Sequence, residues 1–482
     1  MGYRDLHAFL DRLEAENDLQ RIAIEVDPLL EVAEITDRVC KREGKALLFQ
    51  SVAGSPFPAA TNLFGSERRV ARALGVDDCR IPGEKLARLL EGLPHGRVGE
   101  KMAALPRIPA FARCAPEVVF SAPCQEVVEE SPDLTRYPFL KGWPHDGSPG
   151  RDGRFITLPL VFTRDPETGT ANCGIYRIAL FGGQQAGIHW YRGRGGERHY
   201  RACQARRERM PVAVALGGAP ACLLSAMLPL PETLDEMHLA GFLLGKPVEL
   251  VRCRTNDLLV PARAELVIEG YLEPGETAMD GAFGNHTGFY GAPAEIPVLR
   301  VTCITRRHDC ICPSTVVGRP PMEDCHLARA AWQFLLPLLQ TEVPEVVDIY
   351  FPPEWIFHAS GIVSVRTAAP GAGREIIGRL WENEWLRSAR LLAVVDADQD
   401  VRDLSGVAWR LINYADWQRD LQVSTFPGSQ GGSDGFPWGG SRLAIDATRK
   451  KVTASDHPWP EEVRGDAAVK RLVDARWKEY GL

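Results

Sequence analysis

Two short segments carry residue types that could do chemistry. Asn172-Cys173-Gly174-Ile175-Tyr176-Arg177 places an arginine among apolar, strand-forming residues. A guanidinium there is costly unless an anion or an aromatic ring meets it, and it is the side chain best shaped to grip a carboxylate or phosphate with two prongs. Asp280-Gly281-Ala282-Phe283-Gly284-Asn285-His286 is a glycine-punctuated turn that presents acid, amide and imidazole close together. A sheltered cation facing such a loop reads as a carboxylate-handling site. The bland alternatives are an edge-strand arginine pointing to water and an ordinary turn, in which Asp, Gly and Asn tolerate positive φ.

Three further groups add to this. His189-Trp190-Tyr191-Arg192-Gly193-Arg194-Gly195-Gly196 mixes aromatic and cationic residues and then runs through glycines into a helix. Backbone amides at a helix start suit phosphate, and rings beside them suit a planar cofactor; a surface hairpin is the competing reading. Asn172 offers an amide oxygen that can ligate a hard cation, or serves as a turn residue. In Pro231-Glu232-Thr233-Leu234-Asp235-Glu236, Thr233 and Glu236 have the spacing of a capping box, with metal ligation by Glu236 as the functional alternative.

Several elements must hold these residues in place. Tyr3, Leu6, Phe9, Leu10 and Leu13 predict an opening amphipathic helix, followed by a small α/β region to about residue 105. Prolines 106, 109, 116, 123 and 132 mark a boundary. From about 118 to 316 many short strands are predicted, including a strand over 174–181 and another over 156–163. Helices are expected near 197–209 and 233–244. Short strands with glycine turns favour a barrel or sandwich. From 323 to 482 a long helix near 323–340 leads into alternating strands and helices, a third α/β region. The stretch 427–437 reads as a flexible loop, and Val469, Leu472, Val473, Trp477 and Tyr480 form a stripe on a terminal helix.

Composition narrows the class. The 482 residues exceed one ordinary core, and a net charge of −7 without basic blocks gives no nucleic-acid footprint. No apolar run reaches the roughly 18 residues of a membrane span, and the start lacks a signal peptide, so a cytoplasmic protein is expected. The twelve cysteines show no CxxC pair and read as buried reduced thiols. No HExxH or zinc-ribbon spacing exists, so a metal would need ligands dispersed along the chain.

These blocks, in this order, resemble the UbiD family of prenylated-FMN-dependent decarboxylases. The resemblance runs over nearly the whole chain: Tyr3–Leu6, Asn62–Gly65, Asn172–Arg177, Arg194–Gly196, Pro231–Glu236, Asn256–Leu258, Glu269–Tyr271, Gly318–Pro321 and Ala444–Thr448. In pattern it is most similar to the branch acting on 3-polyprenyl-4-hydroxybenzoate. It implies an N-terminal α/β domain (1–115), a central flavin-reductase-like split β-barrel that binds prenylated FMN (116–322), and a C-terminal α/β domain with an oligomerisation helix (323–482). It also implies Mn²⁺ with K⁺ as an additional ion, a flavin prenyltransferase that supplies the cofactor, and a homodimer or homohexamer.

Roles follow at matching positions. Arg177 corresponds to the arginine that orients the substrate carboxylate beside the flavin. Asn172 and Glu236 correspond to metal ligands. Ile175, Tyr176, Arg177, His189, Trp190, Tyr191, Arg194 and Gly195 correspond to cofactor contacts, and Arg442 to a basic phosphate contact. The catalytic loop departs from the family pattern. Asp280 stands for the first carboxylate, but Asn285 replaces the usual acid, and an amide cannot exchange a proton at a useful pKa. Nor does a histidine match the family's third metal ligand; His189 and His199 only flank the expected place.

Three readings stay open. In the first, decarboxylation proceeds with the proton from His286, Asp280 or water. In the second, a specialised substrate such as a heteroaromatic acid or aryl-CoA is held by Asn285. In the third, the chain has lost activity or needs a partner. From another class, the barrel could bind ordinary FMN as a reductase or serve as a non-catalytic subunit.

Overall fold

The structure is a computed structural model, and it describes residues 2–93, 96–367, 371–425, 440–450 and 460–481 except 461 and 464. The predicted loop at 427–437 lies outside the described residues. The chain folds as a mixed α/β protein. The opening helix is Leu6–Ala15, capped by the Asp5 side chain on the Ala8 N–H, and it buries Leu6, Phe9, Leu10 and Leu13 as its spacing predicts. It packs beside a four-stranded sheet ordered Leu19–Val26, Ala46–Val52, Ala59–Thr61 and Cys312–Pro313. The last of these strands reaches this sheet from more than 200 residues downstream (about 3.3 Å of reach per residue makes that easy), tying the chain beyond the second chemistry-bearing loop to the N-terminal layer.

The central sheet has nine strands, and its order explains the first motif. Ala171–Gly174 lies at one end, next to Leu160–Arg164, whereas Ile178–Leu180 sits one strand in from the other end, between Phe155–Ile156 and Gln185–Ile188. Only residues 175–177 join these opposite ends, and three residues span at most roughly 15 Å between flanking Cα atoms. The sheet must therefore curl until its two edges nearly meet. A continuous strand over 174–181 is thus not what forms: it breaks into Ala171–Gly174 and Ile178–Leu180. Ile175, Tyr176 and Arg177 lie in the seam, outside either ladder. Likewise the strand expected over 156–163 divides into Phe155–Ile156 and Leu160–Arg164, with Pro159 between them denying the ladder a donor.

The long strands Leu266–Met279 and Glu295–Arg306 form the back of the curl. Their register shifts between Glu269 and Gly270 and again between Leu272 and Thr277. Such bulges sharpen local twist. At Gly270 a side chain would lie 2.2 Å from the Arg300 carbonyl, so glycine is required there. The helices Pro220–Met227 and Glu236–Leu244 are buried over most of their surface, and the first of them has no polar face from which periodicity could reveal it.

The helix Glu323–Leu339 leads to a five-stranded sheet in which Ser360–Val365, Leu391–Asp396 and Ser441–Ala447 run parallel. The helices Gly373–Glu382 and Leu404–Tyr414 lie between these strands in sequence, as parallel crossovers require. The terminal helix Ala467–Arg476 and the short turn Trp477–Tyr480 after it bury no residue: Val469, Leu472, Trp477 and Tyr480 remain exposed. All twelve cysteines are free and buried. No helix among the described residues is long and apolar enough to cross a membrane.

Candidate active site

The seam delivers Arg177 to the loop at 280–286. Its Nη2 donates to Asp280 Oδ2 at 2.8 Å, and the guanidinium carbon stands 5.0 Å from the centre of the Phe283 ring. His189 Nδ1 lies 3.0 Å from the same carboxylate oxygen and 3.0 Å from Arg177 Nη2. Arginine has no acceptor and an ionised carboxylate has no proton, so both nitrogens are satisfied when each donates to Asp280. The backbone fixes this pairing, because the His189 N–H donates to the Arg177 carbonyl at 3.1 Å. Asp280 Oδ1 accepts from the Ala294 N–H at 2.9 Å.

The Asp280 side chain is fully buried. Burial alone would raise its pKa, but the hydrogen bonds from His189, Ala294 and Arg177, with the arginine charge, outweigh it and hold the carboxyl below its ordinary value. Asp280 is thus an anion across the neutral range. It orients the arginine and is poorly suited to storing a proton.

Asn285 occupies a tight turn. Its Oδ1 accepts from the Thr287 N–H at 2.9 Å and from the Thr287 hydroxyl. Because the oxygen must face those donors, Nδ2 points the other way. It lies 3.7 Å from where a β-carbon on Gly291 would stand, and Arg177 Nη1 lies 4.0 Å from the same point. These two donors and the Phe283 carbonyl oxygen, 3.6 Å from the same point, surround the position that a Gly291 side chain would take. His286 turns elsewhere: its Nε2 lies 3.1 Å from Nε2 of His358, with ring centres 4.3 Å apart.

A second cluster is built around the same seam. The Tyr176 hydroxyl accepts from the Gly196 N–H at 3.1 Å, at the first turn of the helix Gly195–Arg206. Trp190 meets Tyr176 edge-on at 4.7 Å, and Tyr191 lies 6.1 Å from it. Both glycines are needed, since a β-carbon on Gly195 would stand 1.8 Å from Asn172 Oδ1 and one on Gly196 2.5 Å from the Trp190 ring. Arg194 caps this helix start and is exposed, while Ile175 is half-buried in the seam.

Glu236 is not part of a capping box. Asp235 is the N-cap, its side chain accepting from the N–H groups of Met237 and His238, which places Glu236 at the first helical position and leaves its carboxylate available. Glu236 Oε2 accepts from the Cys173 N–H at 3.0 Å, beside Asn172. Burial, only partly offset by that bond, pushes Glu236 up to about 8. The buried Nδ2 of Asn172 and Nε1 of Trp190 lack a hydrogen-bond partner. A buried carboxylate so penalised fits a hard cation, which would restore its charge, while the Asn172 amide oxygen faces Gly195. Among the described residues no three His, Cys, Asp or Glu side chains are grouped so that they could hold a metal ion. His189 is bound to Asp280, and His199 is held by Thr163 at 2.8 Å, so neither joins Glu236.

Arg442 is not brought to these clusters by any contact. Its Nε donates to Ser424 Oγ, its Nη1 to the Arg387 carbonyl, and its guanidinium covers the Trp381 ring at 4.2 Å. Asp146 and Trp143, invisible as motif residues, prove to support the loop. The signal available for them was only a polar Gly-Trp-Pro-His-Asp-Gly turn.

Comparison with known proteins identifies the family. Residues 117–320 match the 3-octaprenyl-4-hydroxybenzoate carboxy-lyase Rift-related domain, 10–90 its N-terminal domain and 325–447 its C-terminal domain. An uncharacterised protein of Archaeoglobus fulgidus is 40% identical over 483 residues, covering 99% of both chains. An evolved dimeric form of the UbiD-class enzyme HmfF from Pelotomaculum thermopropionicum, solved in complex with prFMN, superposes with a TM-score of 0.78 at 26% identity over 97% of this chain and 98% of its own. Vanillic acid decarboxylase of Sedimentibacter hydroxybenzoicus, in closed form, gives a TM-score of 0.82 at 24% identity, covering 100% and 99%. With all three segments matched in order and a relative at 40% identity over the full length, the chain belongs to the UbiD family and is a carboxy-lyase.

Proposed function

We propose that this carboxy-lyase catalyses the reversible, non-oxidative decarboxylation of an aromatic, heteroaromatic or α,β-unsaturated acid on prenylated FMN, with Mn²⁺ at Asn172 and Glu236. The observation that carries the reading is the Arg177 guanidinium, braced by Asp280, His189 and Phe283 with Nη1 turned to the space it shares with Asn285 Nδ2. A guanidinium edge with an amide donor beside it suits a carboxylate. Loss of CO₂ from an sp² carbon leaves electron density that no side chain can absorb, and the bound flavin would supply that electron sink. The prFMN held by HmfF supports this choice.

The chain's own residues do the rest. Arg177 orients the acid, and Asp280 keeps Arg177 in place. Tyr176, Trp190 and Tyr191 offer ring surfaces, and the Gly195 helix start with Arg194 offers N–H groups and charge to a phosphate. The proton that replaces CO₂ comes from water, because Asn285 has no exchangeable acid proton, Asp280 is held ionised and His286 is turned to His358. The exposed stripe on the terminal helix supports a homo-oligomer.

Co-expression with a flavin prenyltransferase should yield protein with the absorption of a modified flavin and bound Mn²⁺. That protein should exchange deuterium at the carboxyl-bearing carbon of at least one acid in a screen. Protein that binds ordinary FMN, or none, and stays inert after reconstitution would sink the proposal.

Asn285→Asp provides a narrower check. The new carboxylate still accepts from Thr287, but it puts an acceptor where Nδ2 donated, close to Arg177 Nη1. The acid substrate should then bind less well, KM rising about tenfold with a smaller change in kcat. An unchanged KM would place Asn285 away from the substrate.

A further inference from the structure

The loop that carries Asp280 and Phe283 is gripped from behind by a segment that takes no part in the chemistry above. Gly147 pairs with Ala282 as an isolated bridge, its N–H donating to the Ala282 carbonyl at 2.8 Å. Gly281, at φ +83°, comes so close that a β-carbon there would lie 2.1 Å from the Gly147 carbonyl carbon. Ser148 Oγ and Arg151 Nη1 both donate to the Met279 carbonyl at 3.0 Å, one residue before Asp280.

Asp146 is the centre of this strap and is 4% exposed. Its Oδ2 accepts from the N–H groups of Gly142 at 3.1 Å and Trp143 at 2.9 Å, closing the strap's own turn. Its Oδ1 accepts from the Gly284 N–H at 2.8 Å, across to the loop. Trp143 is fixed in turn by Nε1 donating to the Val317 carbonyl at 2.7 Å, and a β-carbon on Gly284 would strike its ring at 2.1 Å. The residue before Gly284 is Phe283, whose ring faces the Arg177 guanidinium.

We infer that Asp146 is a positioning residue for the reaction: by joining the strap turn to the Gly284 N–H it sets the depth of Phe283 under Arg177, and so the direction in which the arginine presents its free edge. This rests on Arg177 acting as the substrate-carboxylate anchor. Only a carboxylate serves all three donors. An asparagine of the same shape would turn its NH₂ against either the Gly142 and Trp143 N–H groups or the Gly284 N–H, leaving a buried donor unmet.

The test uses the reconstituted full-length enzyme and an acid that the wild type turns over. Asp146→Asn should lower kcat/KM about ten- to a hundredfold, because small misplacements of an orienting group cost that much. Cofactor absorbance should be retained, since Tyr176, Trp190 and Gly195 do not touch the strap. In a Phe283→Ala background the same substitution should cost less than about threefold, because the route it acts through is already gone. A wild-type-like kcat/KM, or a full-sized loss in the Phe283→Ala background, overturns the inference. If Asp146→Asn fails to fold, Ser148→Ala combined with Arg151→Ala releases the same loop at Met279 and must lower kcat/KM in the same way; an unchanged value there overturns it equally. Amide hydrogen exchange over 281–286 separates this inference from the functional reading. If the wild type turns over no acid, that reading fails, while faster exchange in Asp146→Asn still supports the strap and unchanged exchange refutes it.

Discussion

Arg177→Ala should reduce kcat/KM for the acid substrate by on the order of 10³-fold or more, with the fold intact and the flavin still bound. The magnitude follows from what the side chain does. It supplies the only cation of the cluster whose geometry is over-determined: Asp280 holds Nη2, His189 stands beside it, and Phe283 lies under its face. Losing a charge-assisted, two-pronged contact with a reacting carboxylate removes both binding and orientation. Folding should survive because Arg177 lies in the seam and contributes no side chain to the buried clusters. The measurement is steady-state decarboxylation with the absorption spectrum and thermal unfolding recorded on the same sample. Full retained activity would remove Arg177 from the mechanism.

Asp280→Asn should cost about 10²-fold in kcat/KM. The amide keeps the shape, but it cannot accept from Arg177 and His189 on one side and from the Ala294 N–H on the other without setting a donor against a donor. The pH dependence has a defined sign. The folded pKa of Asp280 is depressed below its ordinary value, so the stabilisation it provides is present above that ordinary value and is lost only as pH falls through the lower, folded one. The defect of Asp280→Asn should therefore be of similar size from about pH 5 to 9, where Asp280 in the wild type stays ionised. A defect that disappears toward the acid end of that range would mean that Asp280 titrates there and acts as an acid. A comparison of pH–rate profiles decides between the two.

Much of the site was legible in the residue order. An arginine after Asn-Cys-Gly-Ile-Tyr and an Asp-Gly turn a hundred residues later could be paired as a carboxylate site on chemistry alone, and the structure joins them at 2.8 Å. The opening helix was equally legible, because Leu6, Phe9, Leu10 and Leu13 are spaced for one face. What failed was the strand over 174–181. Local β-propensity is continuous there, and nothing local says that the ladder partners change from one end of a curled sheet to the other within three residues. Glu236 misled for a related reason. Thr233 and Asp235 are both good caps, and the choice of Asp235 freed the glutamate that a capping box would have used.

By itself, then, the amino-acid order determined the kind of chemistry and the residues able to do it, because donor and acceptor types and helical spacing are local properties. The tertiary structure decided which nitrogen of Arg177 is spent on Asp280 and which is turned to the space beside Gly291, that Asn285 caps its own turn while offering Nδ2, and that Asp146 grips the loop from behind. Apart from the local turn of Asn285, which Thr287 two residues on fixes, those are contacts between residues a hundred or more positions apart. They depend on how far the sheet curls, and no local pattern encodes that distance.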